Sequence, residues 1–396
     1  MIFLITLALS ISGVMALLFA AMFAAEIFAA FRGKTPHPPP ENSSFGSEMI
    51  GVIVPAHNEA GTIGQLLSDL SDQLPLSRVL VVADNCQDET AAIGRRLGAC
   101  VTERQDETNR GKGYALAHGM DVWAEDPPKF ILFLDADCRI ALGFVETIAL
   151  RVLAQNRPVQ AKYLMEPHPN AIAAQSVSAF AWYTINALRQ MGLSRFGLPV
   201  RLNGTGMALP WRDAAALPLA HAHLVEDMMM GIDLALSGRG AVFEPDAVVT
   251  STFPPNEAAE ITQRQRWEGG QRSLFRERAI DLLKRSVSEP RFALIALDLG
   301  IPPLTRFLAV LGFGAIISFA WWGFAGPALP AFLWTISVAL LGAGLTAAFW
   351  LYRQQRAGPI TPRALLAFFL MKAKLISAGR AEGWVRTGRD HDAPAG

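Results

Sequence analysis

Four short clusters carry the residues that could do chemistry. They are Asp84 in Val-Ala-Asp-Asn, Asp135 and Asp137 in Phe-Leu-Asp-Ala-Asp, Glu226-Asp227, and Gln263-Arg264-Gln265-Arg266-Trp267. Asp84 and the Asp135/Asp137 pair stand where apolar runs end, as if at strand tips. Carboxylates gathered there can hold a hard divalent cation and, with it, a nucleotide diphosphate. A further acid can take a proton from a hydroxyl. An Arg-Trp pair can hold a diphosphate bidentately and pack against a sugar ring. The combined chemistry is transfer of a sugar from a nucleotide donor to a hydroxyl.

Each cluster also has a plainer reading. One Asp of the 135/137 pair can cap a helix or close a turn, and a phosphatase-type Asp-x-Asp uses its first Asp as a nucleophile. Cys138-Arg139 follows here, where that pattern continues with Thr or Val. Asp84 can accept from a base N–H, while Asn85 or Asp88 can simply cap the next helix. Gly111-Lys112-Gly113 opens a helix; glycines admit a ligand to the backbone and the lysine can meet phosphate or base. The spacing is not that of a P-loop. Glu226-Asp227 begins a helix, where acids are favoured by the dipole, or supplies a general base. His221 and His223 lie just upstream as a His-x-His. Gln263, Arg266 and Trp267 are three and four apart on a polar helix over 256–283, so they share one face; alone they would read as a solvated helix with a core tryptophan.

The elements that must position these groups follow from periodicity. Apolar runs predict strands at Met49–Pro55, Arg78–Ala83, Ala99–Glu103 and Lys129–Leu134. Helical patterns lie between and after them, at Gly61–Gln73, Glu89–Leu97, Gly113–Ala124 and Gly143–Leu153. This alternation predicts an α/β domain with a mostly parallel sheet and helices on both faces. Ligands in such sheets bind beyond the carboxyl ends of the strands, the edge where His57-Asn58-Glu59, Asp84 and Asp135-Asp137 fall.

The chain has 396 residues, with 35 Lys and Arg against 35 Asp and Glu. With no basic excess, nucleic acid is not an expected partner. Three cysteines without a CxxC predict neither a disulfide framework nor a zinc site. Hydrophobic residues make up 51%, concentrated at the two ends. Met1–Phe31 is long enough to cross a bilayer and lacks the leading basic residues of a signal peptide, which predicts a retained anchor. Arg32 and Lys34 follow it, which places the next segment in the cytoplasm. Phe307–Phe324 and Ala331–Tyr352 hold no charged residue and predict a transmembrane hairpin with Trp and Tyr at its ends. Phe292–Leu304 and Ala364–Ala378 read as interfacial helices. The expected organisation is an anchor over 1–31, a Pro-rich linker over 32–48, a catalytic domain over 49–290, an interfacial helix over 291–305, a hairpin over 306–352 and an amphipathic, basic cytoplasmic tail over 353–396.

Taken in order, these residues resemble the membrane-integrated family 2 glycosyltransferases, which include cellulose, chitin and hyaluronan synthases. The matching pieces are Val54-Pro55-Ala56-His57-Asn58-Glu59, Asp84, Gly111-Lys112-Gly113, Asp135-Ala136-Asp137, Glu226-Asp227 and Gln263-x-x-Arg266-Trp267. The resemblance implies a GT-A fold and an inverting single displacement. It implies that Glu59, Asp84 and Lys112 contact the base and ribose, and that Asp135 and Asp137 hold Mg2+ or Mn2+ and the diphosphate. Asp227 would be the base. Gln263, Arg266 and Trp267 would bind the departing diphosphate and the acceptor sugar beside Glu226. Gly204, Thr205 and Gly206, in Asn203-Gly204-Thr205-Gly206, would face the acceptor. Implied partners are a nucleotide-sugar donor, a saccharide or lipid-linked acceptor, membrane lipid, and export or polymerase subunits, with the catalytic domain on the cytoplasmic side of the plasma membrane. The sequence departs from the large synthases in having two spans after the catalytic region and no Phe-Phe-Cys in the acceptor loop. Trp384–Arg389 could fold back on the site or lie on anionic lipid.

Overall fold

The computed structural model describes residues 2–31, 45–169, 171–220, 225–324, 326–355 and 360–377. Most of the Pro-rich linker, His221 and His223, and Trp384–Arg389 lie outside the described residues. The chain forms two compact units. One comprises Met1–Lys34, Tyr183–Leu198 and Phe275–Thr361; the other comprises Thr35–Trp182, Pro199–Leu274 and Pro362–Gly396.

The second unit is built on one eight-stranded sheet. Its strands are β1 (Ile50–Ala56), β2 (Val79–Asp84), β3 (Cys100–Arg104), β4 (Phe130–Phe133), β5 (Arg139–Ile140), β6 (Val159–Glu166), β7 (Met207–Pro210) and β8 (Val242–Thr252). The spatial order is β3-β2-β1-β4-β7-β6-β8-β5. β1, β2 and β4 are buried along nearly their whole length, as continuous apolar runs must be when helices cover both faces. Their pairings with β1, and that of β2 with β3, are parallel. β7 inserts antiparallel between β4 and β6, and β5 joins β8 antiparallel, while β6 and β8 run parallel. The parallel half matches the sequence reading; the sheet as a whole is mixed. Helices Ile63–Ser71, Thr90–Leu97, Lys112–Trp123 and Phe144–Gln155 follow the expected segments.

Register sets the functional edge. Ala56 pairs with Ala83, and Ile53 with Phe133. The Leu134 N–H extends this alignment by donating to the Ile53 carbonyl at 3.1 Å. The residues following β1, β2 and β4 therefore emerge on one edge, beyond the carboxyl ends of the strands, where open α/β sheets bind ligands.

The first unit is helical. Ile2–Ala30, Leu304–Gly323 and Leu329–Gln355 are each long and apolar enough to cross a membrane. Phe3, Leu4, Phe313, Ile316 and Phe332 stand exposed on them. Close helix contact depends on small residues, as in membrane bundles. A Cβ at Gly344 would lie 3.0 Å from Phe23 and 3.4 Å from the Ala24 backbone. Charge is buried here too. Arg189, at the end of a π-helical turn Thr184–Arg189, donates to Glu26 and to Asp298 Oδ1 at 2.6 Å. The helix Arg291–Gly300 buries Phe292, Ile295, Asp298 and Leu299 and stops before Pro302-Pro303.

Candidate active site

The centre of the site is assembled from four places in the sequence. Asp135 and Asp137 leave the end of β4 in a tight turn closed by the Cys138 N–H on the Asp135 carbonyl, 3.1 Å. Oxygen and sulfur donors of Asp135, Asp137 and Cys138 lie within 4.8 Å of one another. Lys112 starts the helix Lys112–Trp123 directly after Gly111, whose φ of 129° suits glycine alone. Its ammonium donates to Asp135 Oδ1 and to the Gly204 carbonyl at 2.7 Å. The lysine that the resemblance assigns to base and ribose is thus directed at the carboxylate pair. Asp227 is the second residue of the helix Glu226–Leu236, and its Oδ1 accepts the Met228 N–H at 2.8 Å.

Gly204 holds the cluster together because it is narrow. With φ at 82°, a Cβ there would meet Asp227 Oδ2 at 3.1 Å and Lys112 Nζ at 3.3 Å. The loop Asn203–Gly206 is fixed from below by Gln160, fully buried in β6. Its amide donates to the Thr205 carbonyl at 3.0 Å and accepts from the Asn203 N–H at 2.9 Å. The Thr205 hydroxyl accepts the Asp135 N–H at 3.0 Å. The loop Asn203–Gly206 and the Asp135–Asp137 turn are therefore one hydrogen-bonded body.

The electrostatics follow from four acids around one lysine. Burial raises the Asp227 carboxyl, Glu226 raises it further, and Lys112 opposes both, leaving it at about 7. Burial also raises Asp135, with Lys112 acting against it and Asp137 with it. Burial alone would lower the Lys112 ammonium, but Asp135, Glu226 and Asp227 more than offset that and hold it above its ordinary value. The Cys138 thiol is pushed well up by burial and by Asp137 and Asp135, which keeps it a neutral thiol against the Thr205 hydroxyl, 3.4 Å. Asp135 and Asp137 are hard oxygen donors in an acid-rich surrounding. That donor set fits Mg2+ or Mn2+.

Two further patches lie around this centre. At the tips of β1 and β2, His57 Nδ1 meets the Asp84 carbonyl at 2.7 Å. The Asp84 side chain is buried and held by Arg104 at 2.7 Å and Asn85 at 3.1 Å. Arg104 also binds Asp106 at 2.9 Å and lies 5.6 Å over the Tyr114 ring. The Glu59 carboxylate accepts the Thr62 hydroxyl at 2.8 Å. On the other side, the helix Glu257–Ser286 carries Gln263, Arg266 and Trp267. Gly270 lets this helix touch the residue before Glu226: a Cβ there would be 2.5 Å from Val225. The Trp267 ring packs on Trp182 with centroids 4.9 Å apart, and Trp182 meets Tyr163 edge-on at 5.2 Å. Burial pushes the Tyr163 phenol well up, and Cys138, Asp137 and Asp135 add to it; its hydroxyl pairs with the Ser251 hydroxyl at 2.7 Å. Gln263 Oε1 is a buried acceptor with no hydrogen-bond partner among the described residues.

Among the sequence-derived residues, Lys112, Asp135, Asp137, Gly204, Thr205, Glu226 and Asp227 meet in the central cluster. Glu59 and Asp84 stand in the β1/β2 patch, and Gln263 and Trp267 on the long helix. Sequence reasoning missed Gln160, Tyr163, Trp182 and Arg104. Gln160 had a signal, an amide inside an otherwise apolar Val-Gln-Ala strand; the others did not.

A family model described as Glycosyl transferase family 2 matches residues 51–173, and one described as Glycosyl transferase family group 2 matches residues 130–352. The chain is 30% identical over 156 residues to 4,4'-diaponeurosporenoate glycosyltransferase of Staphylococcus aureus strain USA300, a match over 39% of this chain and 40% of that protein. The chain thus spans about two fifths of the length of the curated relatives it matches. Its fold is similar to that of a mannosyltransferase from Pyrobaculum calidifontis solved in complex with GDP-Man and Mn2+. The TM-score is 0.52 at 17% identity, over 88% of this chain and 99% of the other. With a GT-A-like sheet, and with a family model matched over more than half its length, the chain belongs to glycosyltransferase family 2.

Proposed function

We propose that this chain is a membrane-embedded, metal-dependent inverting glycosyltransferase. It moves a hexose or N-acetylhexosamine from a UDP-sugar to a saccharide or lipid-linked acceptor in polysaccharide or cell-envelope synthesis. The observation that carries the reading is Asp227, poised at about 7 and set beside Lys112 and Gly204, one hydrogen bond from Asp135 through that lysine. An acceptor hydroxyl hardly ionises at neutral pH, so its attack needs such a carboxylate within reach. Asp135 and Asp137 would hold Mg2+ or Mn2+, which supplies charge neutralisation to a departing diphosphate. Lys112 adds a cation beside them, and Arg266 a guanidinium for phosphate oxygens. Glu59 and Asp84 receive the base and ribose. Glu226, Gln263, Trp267 and the loop Gly204-Thr205-Gly206 bound the acceptor; Gln263 Oε1, which has no partner among the described residues, suits a sugar hydroxyl donor. The three apolar helices anchor the protein in the plasma membrane with the catalytic unit cytoplasmic, and export or polymerase subunits are its expected protein partners.

A second reading, a single transfer to a lipid acceptor, draws support from the relative named 4,4'-diaponeurosporenoate glycosyltransferase. Purified membranes carrying the chain are incubated with a panel of radiolabelled nucleotide sugars and Mn2+, with the Asp227→Asn variant alongside. One donor is expected to label a product only with the native chain. A ladder of products supports the polymer reading and a single organic-extractable product the lipid one. Incorporation by the variant equal to that of the native chain overturns the base assignment.

A further inference from the structure

β7 runs antiparallel to β4, with Phe133 opposite Met207. Continued two residues past the strand end, that register sets Thr205 opposite Asp135. The backbone ladder stops just short of this point. The Leu134 N–H still reaches the Ile53 carbonyl at 3.1 Å, and the Gly206 N–H the Phe133 carbonyl at 2.9 Å. The Thr205 carbonyl is turned away and taken by the Gln160 amide at 3.0 Å. The Asp135 N–H, having left the sheet, donates to the Thr205 hydroxyl at 3.0 Å. A side-chain oxygen thus takes the place of a backbone acceptor at the residue where the acidic turn begins.

The same oxygen meets the other end of that turn. Cys138 Sγ lies 3.4 Å from it, and the Cys138 N–H returns to the Asp135 carbonyl at 3.1 Å. Asp135 and Asp137 are therefore carried on a short piece of chain held at both ends by one atom. Thr205 is wholly buried, so its hydroxyl is committed to the turn and is not offered to a ligand. The loop behind it is fixed in turn by Gln160, also wholly buried, which accepts the Asn203 N–H at 2.9 Å.

We infer that Thr205 is a positioning residue for the cation: its hydroxyl sets the geometry in which Asp135 and Asp137 bind a divalent ion. Groups that orient metal-binding side chains govern affinity strongly, and their removal typically weakens binding by roughly 10–100-fold. Without the hydroxyl the Asp135 N–H loses its acceptor, and leaving such a donor unmade is costly enough to shift the turn. The shift moves the two carboxylates together. The role belongs to the oxygen and not to the methyl group beside it, so serine can supply it and valine cannot. The inference rests on the reading of Asp135 and Asp137 as cation ligands.

Mn2+ titration of the full-length chain in detergent tests it, with UDP or GDP present and bound ion read from loss of the free-Mn2+ paramagnetic resonance signal. Thr205→Val and Thr205→Ser are compared with the native chain. Expected is a Mn2+ Kd raised roughly 10–100-fold by valine and kept within about threefold of native by serine. Thr205→Ala enters the same titration, with the same expectation as valine, if the valine variant does not fold. A hydroxyl-free variant that binds Mn2+ within about twofold of native overturns the inference and leaves the cation reading standing. Serine as weak as valine also overturns it, because packing of the methyl group then sets the affinity. A native chain that takes up no Mn2+ with either nucleotide overturns the cation reading and this inference together.

Discussion

Two buried charge clusters, one in each unit, share the same ingredients and are built to opposite ends. In the helical unit Arg189 sits between Glu26 and Asp298 with side-chain exposures of 3%, 0% and 6%. Around it the backbones touch: a Cβ at Gly192 would lie 2.2 Å from the Glu26 carbonyl. In the catalytic unit Lys112 and Asp135 are 23% and 31% exposed, and Glu226, Asp227 and Asp137 crowd them. Both clusters hold more acid than base. The first is sealed, and its guanidinium ties three helical segments together. The second is reachable, and its excess of acid is useful once a cation and a phosphate arrive. Enclosure, not charge, separates a structural cluster from a chemical one.

Breaking each cluster should produce different kinds of damage. The largest effect is expected from Asp227→Asn, a loss of transfer of roughly 10²–10⁴-fold with nucleotide binding retained, read by turnover and by nucleotide titration. Arg189→Met leaves two buried carboxylates without their cation and is expected to cost about 3–5 kcal/mol of stability, seen as a lower melting temperature in detergent. Any surviving folded fraction is expected to turn over normally, because none of these three residues belongs to the carboxylate cluster around Lys112. Gly204→Ala tests the crowding at the centre. A Cβ between Asp227 and Lys112, at a φ of 82°, should cut kcat while leaving the melting temperature within a few degrees.

Acid–base behaviour offers the finest test. With Asp227 at about 7, transfer should rise with pH along a limb centred there. Between about pH 4 and 7 the folded chain keeps a proton that the unfolded chain releases. Stability from this group therefore declines as pH rises through that window, and Asp227→Asn should flatten the decline. Glu226→Gln removes the neighbouring charge that lifts Asp227 and should move the activity limb to lower pH. An unmoved limb would show that burial alone sets it.

Much of the catalytic sheet was legible because parallel strands covered on both faces are written as unbroken apolar runs. Val-Leu-Val-Val-Ala-Asp and Phe-Ile-Leu-Phe announce themselves, and their ends mark the edge where Asp84 and Asp135 emerge. The antiparallel half was not legible. β7 is four residues long and owes its place between β4 and β6 to pairings with residues about 50 to 80 positions away. The stretch Tyr183–Leu198, which sequence leaves inside the 49–290 region, groups with the helical unit because of Arg189 and Gly192, two residues with no local signal. The central site was readable as a set of acids but not as an arrangement. The Trp267 indole reads as an open platform in sequence, and only the fold shows Trp182 packed on it with Tyr163 edge-on behind. The direction of Lys112 toward Asp135 likewise depends on a loop 92 residues away.

The amide of Gln160 ties the Asn203–Gly206 loop to the interior of β6, and Gly206 itself donates to the Phe133 carbonyl at 2.9 Å. A surface loop normally exchanges its amide hydrogens with solvent in its own local openings. Here the Asn203 and Gly206 amides are released only when the central strands part, so their deuterium uptake should keep the slow clock of the sheet.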